Sequence, residues 1–319
     1  MAKHYLEFEK PIQEFEDKII KLQSLENDNG DSLELNRLIE RRDKKIDEIY
    51  GSLNRWQRVQ LARHPERPFS LDYINRITEE FIELHGDRAY ADDKAIIAGI
   101  GKINERSVLF IGQQKGRNTK DNLYRNFGMM RPEGYRKALR LMRLADKFNL
   151  PVISLIDTPG AYPGLGAEER GQGEAIARNL MEMAKLNVPI LAIVIGEGAS
   201  GGALGIGLCD RLIMLENTWY SVISPEGCAS ILWHDARKAS DAADAMKVAP
   251  KDLKDIGICD RIINEPTGGA HRDPEKMYEI IKKIILEELD LIEEKNNKRD
   301  YLQSRIQRYE RMGYFQEEK

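Results

Sequence analysis

The middle of this chain repeats one pattern: a short apolar segment, a glycine-bearing loop, and then a segment with helical spacing. Three such loops begin at Gly112, Asp157 and Gly196. The apolar segments are SVLFIGQQ, PVISLIDT, PILAIVIG and RLIMLEN, and their shortness and β-branched content are typical of buried parallel strands. Because loops at the carboxyl ends of parallel strands meet at one edge of a sheet, we predict an α/β fold with a ligand site at that edge.

The two ends of the chain have a different pattern. Residues 1–60 contain little glycine and show two apolar stripes at helical spacing, separated by the turn-forming segment NDNGDS at 27–32. They predict a helical hairpin that serves as a packing or oligomerisation arm. At the other end, Asp273 is placed to cap a long helix. We therefore divide the chain into this hairpin, a central α/β domain at 61–272, and a helical extension at 273–319.

Composition narrows the function classes. Of the 319 residues, 41% are hydrophobic and 32% charged, and the net charge of −4 argues against nucleic acid as the main partner. The three cysteines form no C-x-x-C pair, so neither a zinc site nor a disulfide framework is predicted, and a reducing cytoplasm is the expected compartment. The charged amino terminus does not resemble a signal peptide, and no apolar run reaches membrane-spanning length.

One stretch, IVIGEGASGGALGIGLCD at 193–210, fits three chemistries. From Gly196 to Gly201 it spells the G-x-G-x-x-G of a dinucleotide-binding loop. Around Ser200 it spells the G-x-S-x-G of a serine hydrolase. Its adjacent glycines can also present bare backbone N–H groups to an anion, with no reactive side chain.

The first two interpretations each meet a difficulty. The segment from Gly202 to Cys209 contains only eight residues, whereas the crossover helix of a dinucleotide-binding fold needs roughly a dozen or more. A nucleophilic Ser200 needs a histidine and an acid, for which His234 and His271 are available without any spacing that singles them out. The hydrolase alternative therefore stays open.

The interpretation as a set of backbone N–H donors explains more of the glycine pattern. Glycine lets a carbonyl group approach without a Cβ in the way, and the start of a helix adds the positive end of its dipole. This interpretation predicts an oxyanion hole, and it also predicts a second glycine loop beside the first. The segment DTPGAYPGLGAEERGQGEA, after the preceding strand, fits that expectation.

Longer segments carry a family resemblance. They are RAYADDKAIIAGI, QKGRNTKDNLYRNFGMMRPEGYRKALRLM, LIDTPGAYPGLGAEERGQGEAIARNL, GEGASGGALGIG and YSVISPEGCASILW. Together they resemble the carboxyltransferase alpha subunits of bacterial acetyl-CoA carboxylase, with Leu155 and Ala199 standing where relatives often have Phe and Gly. The resemblance implies a crotonase-like (ClpP/crotonase) α/β fold, in which ββα units wind into a superhelix.

The resemblance also implies an activity and partners. Such subunits transfer a carboxyl group from carboxybiotin to acetyl-CoA, giving malonyl-CoA for fatty acid biosynthesis. Biotin is attached to a separate carrier protein, which a biotin carboxylase recharges. The expected partner is a beta subunit with a Cys₄ zinc ribbon, two of each subunit forming a heterotetramer with the active site between them. No metal is expected in this chain, and a cytoplasmic location is expected.

The family pattern assigns roles to residues. It maps the oxyanion hole for biotin onto the backbone of Gly201, Gly202 and Ala203. The expected wall of the biotin pocket is the loop that carries Gly160, Tyr162, Pro163, Gly164 and Gly166, although a tight loop also needs such residues for backbone reasons alone.

A basic run follows the first strand of the pattern. Lys115, Arg117 and Lys120 can meet CoA phosphates, and a solvated charge run is the alternative interpretation. Two other functions remain to be separated from carboxyl transfer. One is a stand-alone acyl-CoA hydratase or hydrolase of the same fold, and the other is a scaffold that only binds the carrier or the beta subunit.

Overall fold

The computed structural model describes residues 3–25, 32–296 and 300–313. The amino-terminal part contains the two predicted helices, α1 (Lys10–Leu25) and α2 (Ser32–Gly51). They pack against each other around a small core that includes Ile12, Ile46 and Leu53. Residues 27–31 of the predicted turn lie outside the described residues.

A sheet and its helices fill the centre. The strands are β1 (Glu80–Glu83), β2 (Ile96–Ile103), β3 (Arg106–Gln113), β4 (Val152–Thr158), β5 (Ile190–Ala199), β6 (Arg211–Leu215), β7 (Trp219–Ser221) and β8 (Arg261–Ile263). The first helices of this part are α3 (Arg55–Ala62), α4 (Ser70–Ile77), α5 (Thr119–Tyr124), α6 (Pro132–Lys147), α7 (Leu165–Glu169) and α8 (Gln172–Lys185). The later helices are α9 (Ser200–Gly207), α10 (Pro225–Trp233), α11 (Ala239–Met246) and α12 (Pro250–Asp255).

The sheet is mixed, in the order β1-β2-β3-β4-β5-β6-β8, and β7 pairs with the far end of β5. The pairs from β3 through β4, β5 and β6 to β8 are parallel, which confirms the prediction for the four apolar segments. The strands β1 and β2 pair antiparallel with their neighbours and were not predicted. The parallel strands bring their carboxyl ends to one edge, as expected.

Both faces of the sheet are covered. Alternating residues of β5 belong to two different cores: Val194 packs with α6, α8 and α9, while Ile193 packs with α4 and the carboxyl-terminal helix α13 (Pro274–Lys295). Such burial on both faces explains why the strands read as continuous apolar runs. None of the helices among the described residues is both long enough and apolar enough to cross a membrane.

The carboxyl-terminal segment contains α13 and α14 (Tyr301–Glu310). The predicted cap is confirmed, because the Asp273 side chain accepts the backbone N–H of Lys276 and Pro274 is the first helical residue. Since α13 supplies Met277 and Ile281 to the core on the sheet, it is a packed layer of the fold. The boundaries proposed at residues 60 and 272 stay predictions.

The end of β5 differs from the expectation. The strand continues through Ala199, pairing with β7 over its last three residues, so Gly196 and Gly198 are strand residues and belong to no loop. Their lack of a side chain has a packing reason. A Cβ at Gly196 would overlap the carboxylate of Asp157, and one at Gly198 would overlap the ring of Tyr220.

Candidate active site

The strand β5 passes into the helix α9 without any connecting residue. Ala199 is extended, with φ −106° and ψ 134°, so its methyl group is compatible with the turn, as expected for a residue at negative φ. The turn is made at Ser200, which has φ 57°, an uncommon conformation for a residue with a side chain. We call this strand–helix junction, residues 199–203, the oxyanion turn.

The first turn of α9 leaves backbone donors free. In a helix that begins at Ser200, the N–H groups of Ser200, Gly201 and Gly202 have no acceptor within the helix. Ala203 is the fourth helical residue, and in a regular helix the N–H at that position donates to the carbonyl of the residue before the helix, which here is Ala199. The role of Ala203 as a further donor stays a prediction, while Gly201 and Gly202 are donors that the helix leaves free.

The two glycine loops meet, as the sequence predicted. A Cβ at Gly202 would overlap the carbonyl carbon of Gly160 and lie 2.6 Å from the backbone nitrogen of Ala161. Glycine is therefore required at position 202, because the two backbones touch there. Gly160 itself has φ 149°, in a region open to glycine, and its N–H and carbonyl oxygen both bond the Thr158 hydroxyl.

The rest of the 160–166 loop is fixed by hydrogen bonds and stacking. The Tyr162 N–H donates to the carbonyl of Met130 at 3.0 Å, and the Gln172 amide donates to the carbonyls of both residues. The guanidinium of Arg131 lies 4.5 Å from the centre of the Tyr162 ring. These contacts hold the loop that carries Gly160 rigidly against the oxyanion turn.

The other predicted wall residues lie in the same loop. Gly164 lies against the Tyr162 ring, which a Cβ at this position would overlap. Pro163 is exposed. Gly166 lies in the short helix α7, where a Cβ would stand 3.0 Å from the guanidinium of Arg170.

A buried network of charges lies beneath the turn. The Lys115 ammonium contacts Asp157 at 2.6 Å and Glu197 at 2.7 Å. Arg63 contacts Glu197 at 2.5 Å and is also paired with Glu226. Lys115, Asp157 and Glu197 lie within two residues of the carboxyl ends of β3, β4 and β5, so the parallel sheet brings them together.

Opposite charges decide the protonation of this network. Burial would lower the pKa of Lys115, but the two carboxylates outweigh it and raise the pKa. Burial would raise the pKa of Glu197, but Lys115 and Arg63 bring it below its usual range. Burial raises the pKa of Asp157, which Lys115 offsets only in part. Lys115 and Glu197 are thus charged at neutral pH.

The basic run of the sequence is not a unit in three dimensions. Lys115 is buried in its ion pairs, so the interpretation as a solvated charge run is wrong for this residue. Arg117 points away from the turn: it donates to the carbonyls of Pro65 and Arg67, is paired with Asp72, and lies 4.1 Å from the centre of the Phe69 ring. Neither side chain is free to receive a phosphate in this arrangement.

An open, mainly apolar cavity of about 510 Å³ borders the turn. Its lining residues are Ser200, Gly201, Leu204, Tyr220, Ser221, Val222, Met246, Leu253 and Ile258. A cavity of about 580 Å³ lies elsewhere, beside Arg55 and Arg58, where the charged side chains largely pair with one another. We place the candidate site at the first cavity, because there free backbone donors meet an apolar surface.

The histidines of the hydrolase alternative lie elsewhere. His271 stacks on His64, with ring centres 3.9 Å apart, beside Glu9 of the amino-terminal segment. His234 is the carboxyl-terminal cap of α10. Among the described residues, neither histidine forms a hydrogen bond with Ser200. Those same residues contain no group of three or more histidine, cysteine or acidic side chains that could hold a metal ion.

Several residues of the site were not predicted from the sequence: Arg63, Gln113, Asp157 and Glu197. The sequence does carry one signal for two of them. Asp157 closes an apolar strand, and Glu197 interrupts a glycine-rich apolar run, so each is a charge where burial is expected. Their partners Arg63 and Gln113 come from distant segments and leave no local signal.

Comparison with known proteins gives consistent matches. The model of the family "Acetyl co-enzyme A carboxylase carboxyltransferase-like" matches residues 5–313. A protein of Chlorobium phaeobacteroides (strain BS1), named acetyl-coenzyme A carboxylase carboxyl transferase subunit alpha, is 54% identical over 99% of both chains. A protein of the same name from Xanthomonas campestris pv. campestris (strain B100) is 58% identical over 92% of both chains.

Solved structures support the fold. Transcarboxylase 12S, with hydrolysed methylmalonyl-coenzyme A bound, aligns with a TM-score of 0.55 and 17% identity over 79% of this chain. The beta subunit of geranyl-CoA carboxylase from P. aeruginosa aligns with a TM-score of 0.54 and 15% identity over 73%. This chain spans 44% of each of those chains. The predicted crotonase-like α/β fold is confirmed.

Proposed function

Because this chain belongs to the acetyl-coenzyme A carboxylase carboxyltransferase family, we propose that its oxyanion turn is half of a carboxyl-transfer site. The reaction moves a carboxyl group from carboxybiotin to acetyl-CoA and forms malonyl-CoA. The observation that carries the assignment of the site is the contact between two glycine loops, at Gly202 and Gly160, beside an open apolar cavity. Backbone groups, rather than a side-chain nucleophile, then do the chemistry of this half.

The cavity fits the chemistry of biotin. The ring system of biotin has an apolar thioether side and a polar urea, which match the apolar lining by Leu204, Val222 and Met246 and the backbone donors of the turn. When bound, biotin supplies the carboxyl group, and negative charge develops on its urea oxygen as that group leaves. The N–H groups of Gly201 and Gly202 would donate to this oxygen.

The turn is suited to stabilising that charge. Its donors are fixed before the reaction, because Gly202 is held against Gly160, and the positive end of the α9 dipole points the same way. Removing one such donor from an oxyanion hole costs about 2.7–4 kcal/mol of transition-state stabilisation in enzymes where this has been measured. The N–H groups of Gly201 and Gly202 would thus account for a large part of the lowering of the activation barrier.

This chain contributes no general base under the proposal. The acidic groups nearest the turn, Asp157 and Glu197, are held in ion pairs with Lys115 and Arg63. The proposal leaves proton removal from acetyl-CoA to groups outside this chain. Lys115 and Arg117, occupied as they are, have no role in binding CoA in this scheme.

A partner subunit completes the site. Leu204, Val222, Ile231, Leu232 and Trp233 are exposed around the cavity and α10, Val222 to 82%. A cluster of large exposed apolar side chains beside an open site is typical of a protein interface. We propose that a zinc-ribbon beta subunit covers it and holds the enolate of acetyl-CoA in a hole of its own, two of each subunit forming the enzyme.

The remaining partners follow from the same proposal. A biotin carrier protein brings carboxybiotin to the cavity, and a biotin carboxylase recharges it. The proposed location is the cytoplasm, which suits the free thiols of Cys209, Cys228 and Cys259.

Reconstitution tests the function. The purified chain is mixed with the beta subunit, malonyl-CoA and free biocytin, and acetyl-CoA is measured. We expect turnover only when both subunits are present. Turnover of an enoyl-CoA or acyl-CoA by this chain alone would support the hydratase or hydrolase alternative instead. Complex formation without any turnover would support a scaffold.

A further inference from the structure

The pairing of β4 with β5 is interrupted just before the oxyanion turn. Ile156 pairs with Val194, and Thr158 pairs with Gly198. One residue of β4, Asp157, therefore faces the three residues 195–197 of β5. Such a bulge leaves backbone groups without their usual partners in the sheet.

The side chain of Asp157 fills this gap. Its Oδ1 accepts the backbone N–H of Glu197 at 3.0 Å, and the same oxygen accepts from Lys115 at 2.6 Å. Because Gly196 has no side chain, the carboxylate can lie directly on the β5 backbone. A side-chain oxygen thus replaces a missing backbone acceptor three residues before Ser200.

Gln113 links the same place to the helix. Its side-chain carbonyl accepts the N–H of Asp157 at 3.1 Å, and its amide donates to the carbonyl of Gly202 at 2.7 Å. Contacts of Asp157 and Gln113 therefore fix the oxyanion turn on both of its sides. Asp157 fixes the strand that enters the turn, and Gln113 fixes the first turn of the helix that leaves it.

We propose that Asp157, held by Lys115, is a positioning residue for the oxyanion turn, and that this is the function of the lysine which the sequence suggested for CoA. The inference rests on the proposed function of that turn. The lysine lies between two buried carboxylates, Asp157 and Glu197, which would repel each other without it. The effect on activity of removing the charge of Lys115 or of Asp157 can therefore be predicted.

Two substitutions of Asp157 separate the hydrogen bond from the charge. Asp157→Asn keeps Oδ1, and so keeps an acceptor for the Glu197 N–H. Asp157→Leu has a similar shape and removes the acceptor. A matched control exists at the opposite end of β5, where the buried Asp210 accepts the N–H of Ile190 at 2.7 Å and pairs with Arg305 at 2.9 Å. Asp210→Leu removes the same chemistry far from the turn.

We expect a split between activity and stability in the complex with the beta subunit. For Asp157→Leu, kcat for biocytin-dependent acetyl-CoA formation should fall by about 10²-fold, the lower end of the roughly 10²–10³ that complete loss of one hole donor costs, because Asp157 positions the donors without being one. The KM for biocytin should change by less than about threefold, since the lost interaction acts in the transition state. Asp157→Asn should retain about a third of the activity or more. Asp210→Leu should lower the Tm with kcat within about threefold of wild type.

Hydrogen exchange gives a readout that does not depend on turnover. Asp157→Leu should speed amide exchange in a peptide covering 195–205, while Asp210→Leu should speed it near residue 190 and leave the turn protected. A merely structural role for Asp157 would lower stability throughout β5 without this difference.

Lys115 supplies a rescue test that holds even if Asp157→Leu does not fold. Lys115→Met leaves the Asp157 carboxylate without a cation beside Glu197, which keeps its pair with Arg63, and the variant should lose activity. Adding Asp157→Asn removes one charge and keeps Oδ1, so the double variant should recover at least about fivefold relative to Lys115→Met. A double variant no better than Lys115→Met would overturn the proposal.

Different results would contradict the proposed function and the positioning role of Asp157. If the wild-type complex and the Asp210→Leu complex show no carboxyl transfer, the proposed function is wrong. If both are active and Asp157→Leu matches them in kcat and in exchange at 195–205, the function stands and the positioning role is wrong.

Discussion

Gly202→Ala changes one hydrogen for a methyl group at the contact between the two glycine loops. The new Cβ would lie 2.6 Å from both the carbonyl oxygen of Gly160 and the nitrogen of Ala161, roughly 1 Å inside ordinary van der Waals contact. Both neighbours are backbone atoms, so the loops must separate by about that distance. A misplacement of about 1 Å can cost about 10² in rate, which equals about 2.7 kcal/mol in the barrier.

Gly201→Ala is the matched control. There the new Cβ would meet only the flexible Ile176 side chain, at 3.4 Å, and no left-handed φ opposes it. Since alanine is favoured over glycine in a helix by up to about 1 kcal/mol, Gly201→Ala should hold or raise the Tm. Gly202→Ala should lower it, because the clash outweighs the same gain.

The assay is steady-state acetyl-CoA formation from malonyl-CoA and biocytin by the complex, with Tm measured alongside. We expect kcat to fall about 10²-fold for Gly202→Ala and to stay within about fivefold for Gly201→Ala. If both folded variants were equally active, the oxyanion turn would not depend on its contact with Gly160, and the reasoning would be refuted.

Three further predictions follow from other parts of the structure. Ser200→Ala should keep at least about a third of kcat, because no histidine among the described residues forms a hydrogen bond with Ser200, and a loss of more than about 10²-fold in a variant with unchanged circular dichroism would support the serine hydrolase alternative. Arg117→Ala should lower the Tm through its lost bonds to Pro65, Arg67 and Asp72 and leave the KM for malonyl-CoA within about twofold, whereas a large rise in KM would restore it to CoA binding. Burial, with the positive charges around it, lowers the pKa of His271 to about 2, so the folded protein holds it neutral while the unfolded chain takes up a proton near pH 6.5. The free energy of unfolding should therefore fall by about 1.6 kcal/mol between pH 6.5 and 5 through this group, and urea unfolding should show that much less acid sensitivity in His271→Phe, with an unchanged pH dependence counting against the assignment.

Local sequence patterns were enough to predict most of the fold. The apolar runs that became β3, β4, β5 and β6 owe their sequence to burial on both faces, and that signal is local. The cap at Asp273 is equally local, because a side chain and a backbone N–H three residues away make it. The antiparallel β1 and β2 were missed because β1 is short and partly acidic and glycines interrupt the apolar run of β2.

Only the part of the site that is marked by the spacing of glycines could be predicted from the sequence. Gly202 needs its glycine because of Gly160, and the presence of two glycine loops was enough to predict that they meet. Gly196 and Gly198 were interpreted as loop residues, whereas they are strand residues kept bare by Asp157 and Tyr220. Asp157 and Tyr220 lie about forty and about twenty residues away from these glycines along the chain. A single sequence does not show which residues at that separation are in contact.

In the proposed site, the backbone N–H groups of Gly201 and Gly202 stabilise the charge that develops on biotin. The most direct measurement is a crystal structure of the complex of this chain with its beta subunit and biocytin. We expect the urea oxygen to lie about 2.7–3.1 Å from the nitrogens of both glycines, the distance expected of oxyanion-hole donors. A urea oxygen bound by the Ser200 hydroxyl or by the Lys115 ammonium, with both glycine nitrogens out of reach, would contradict the proposed site.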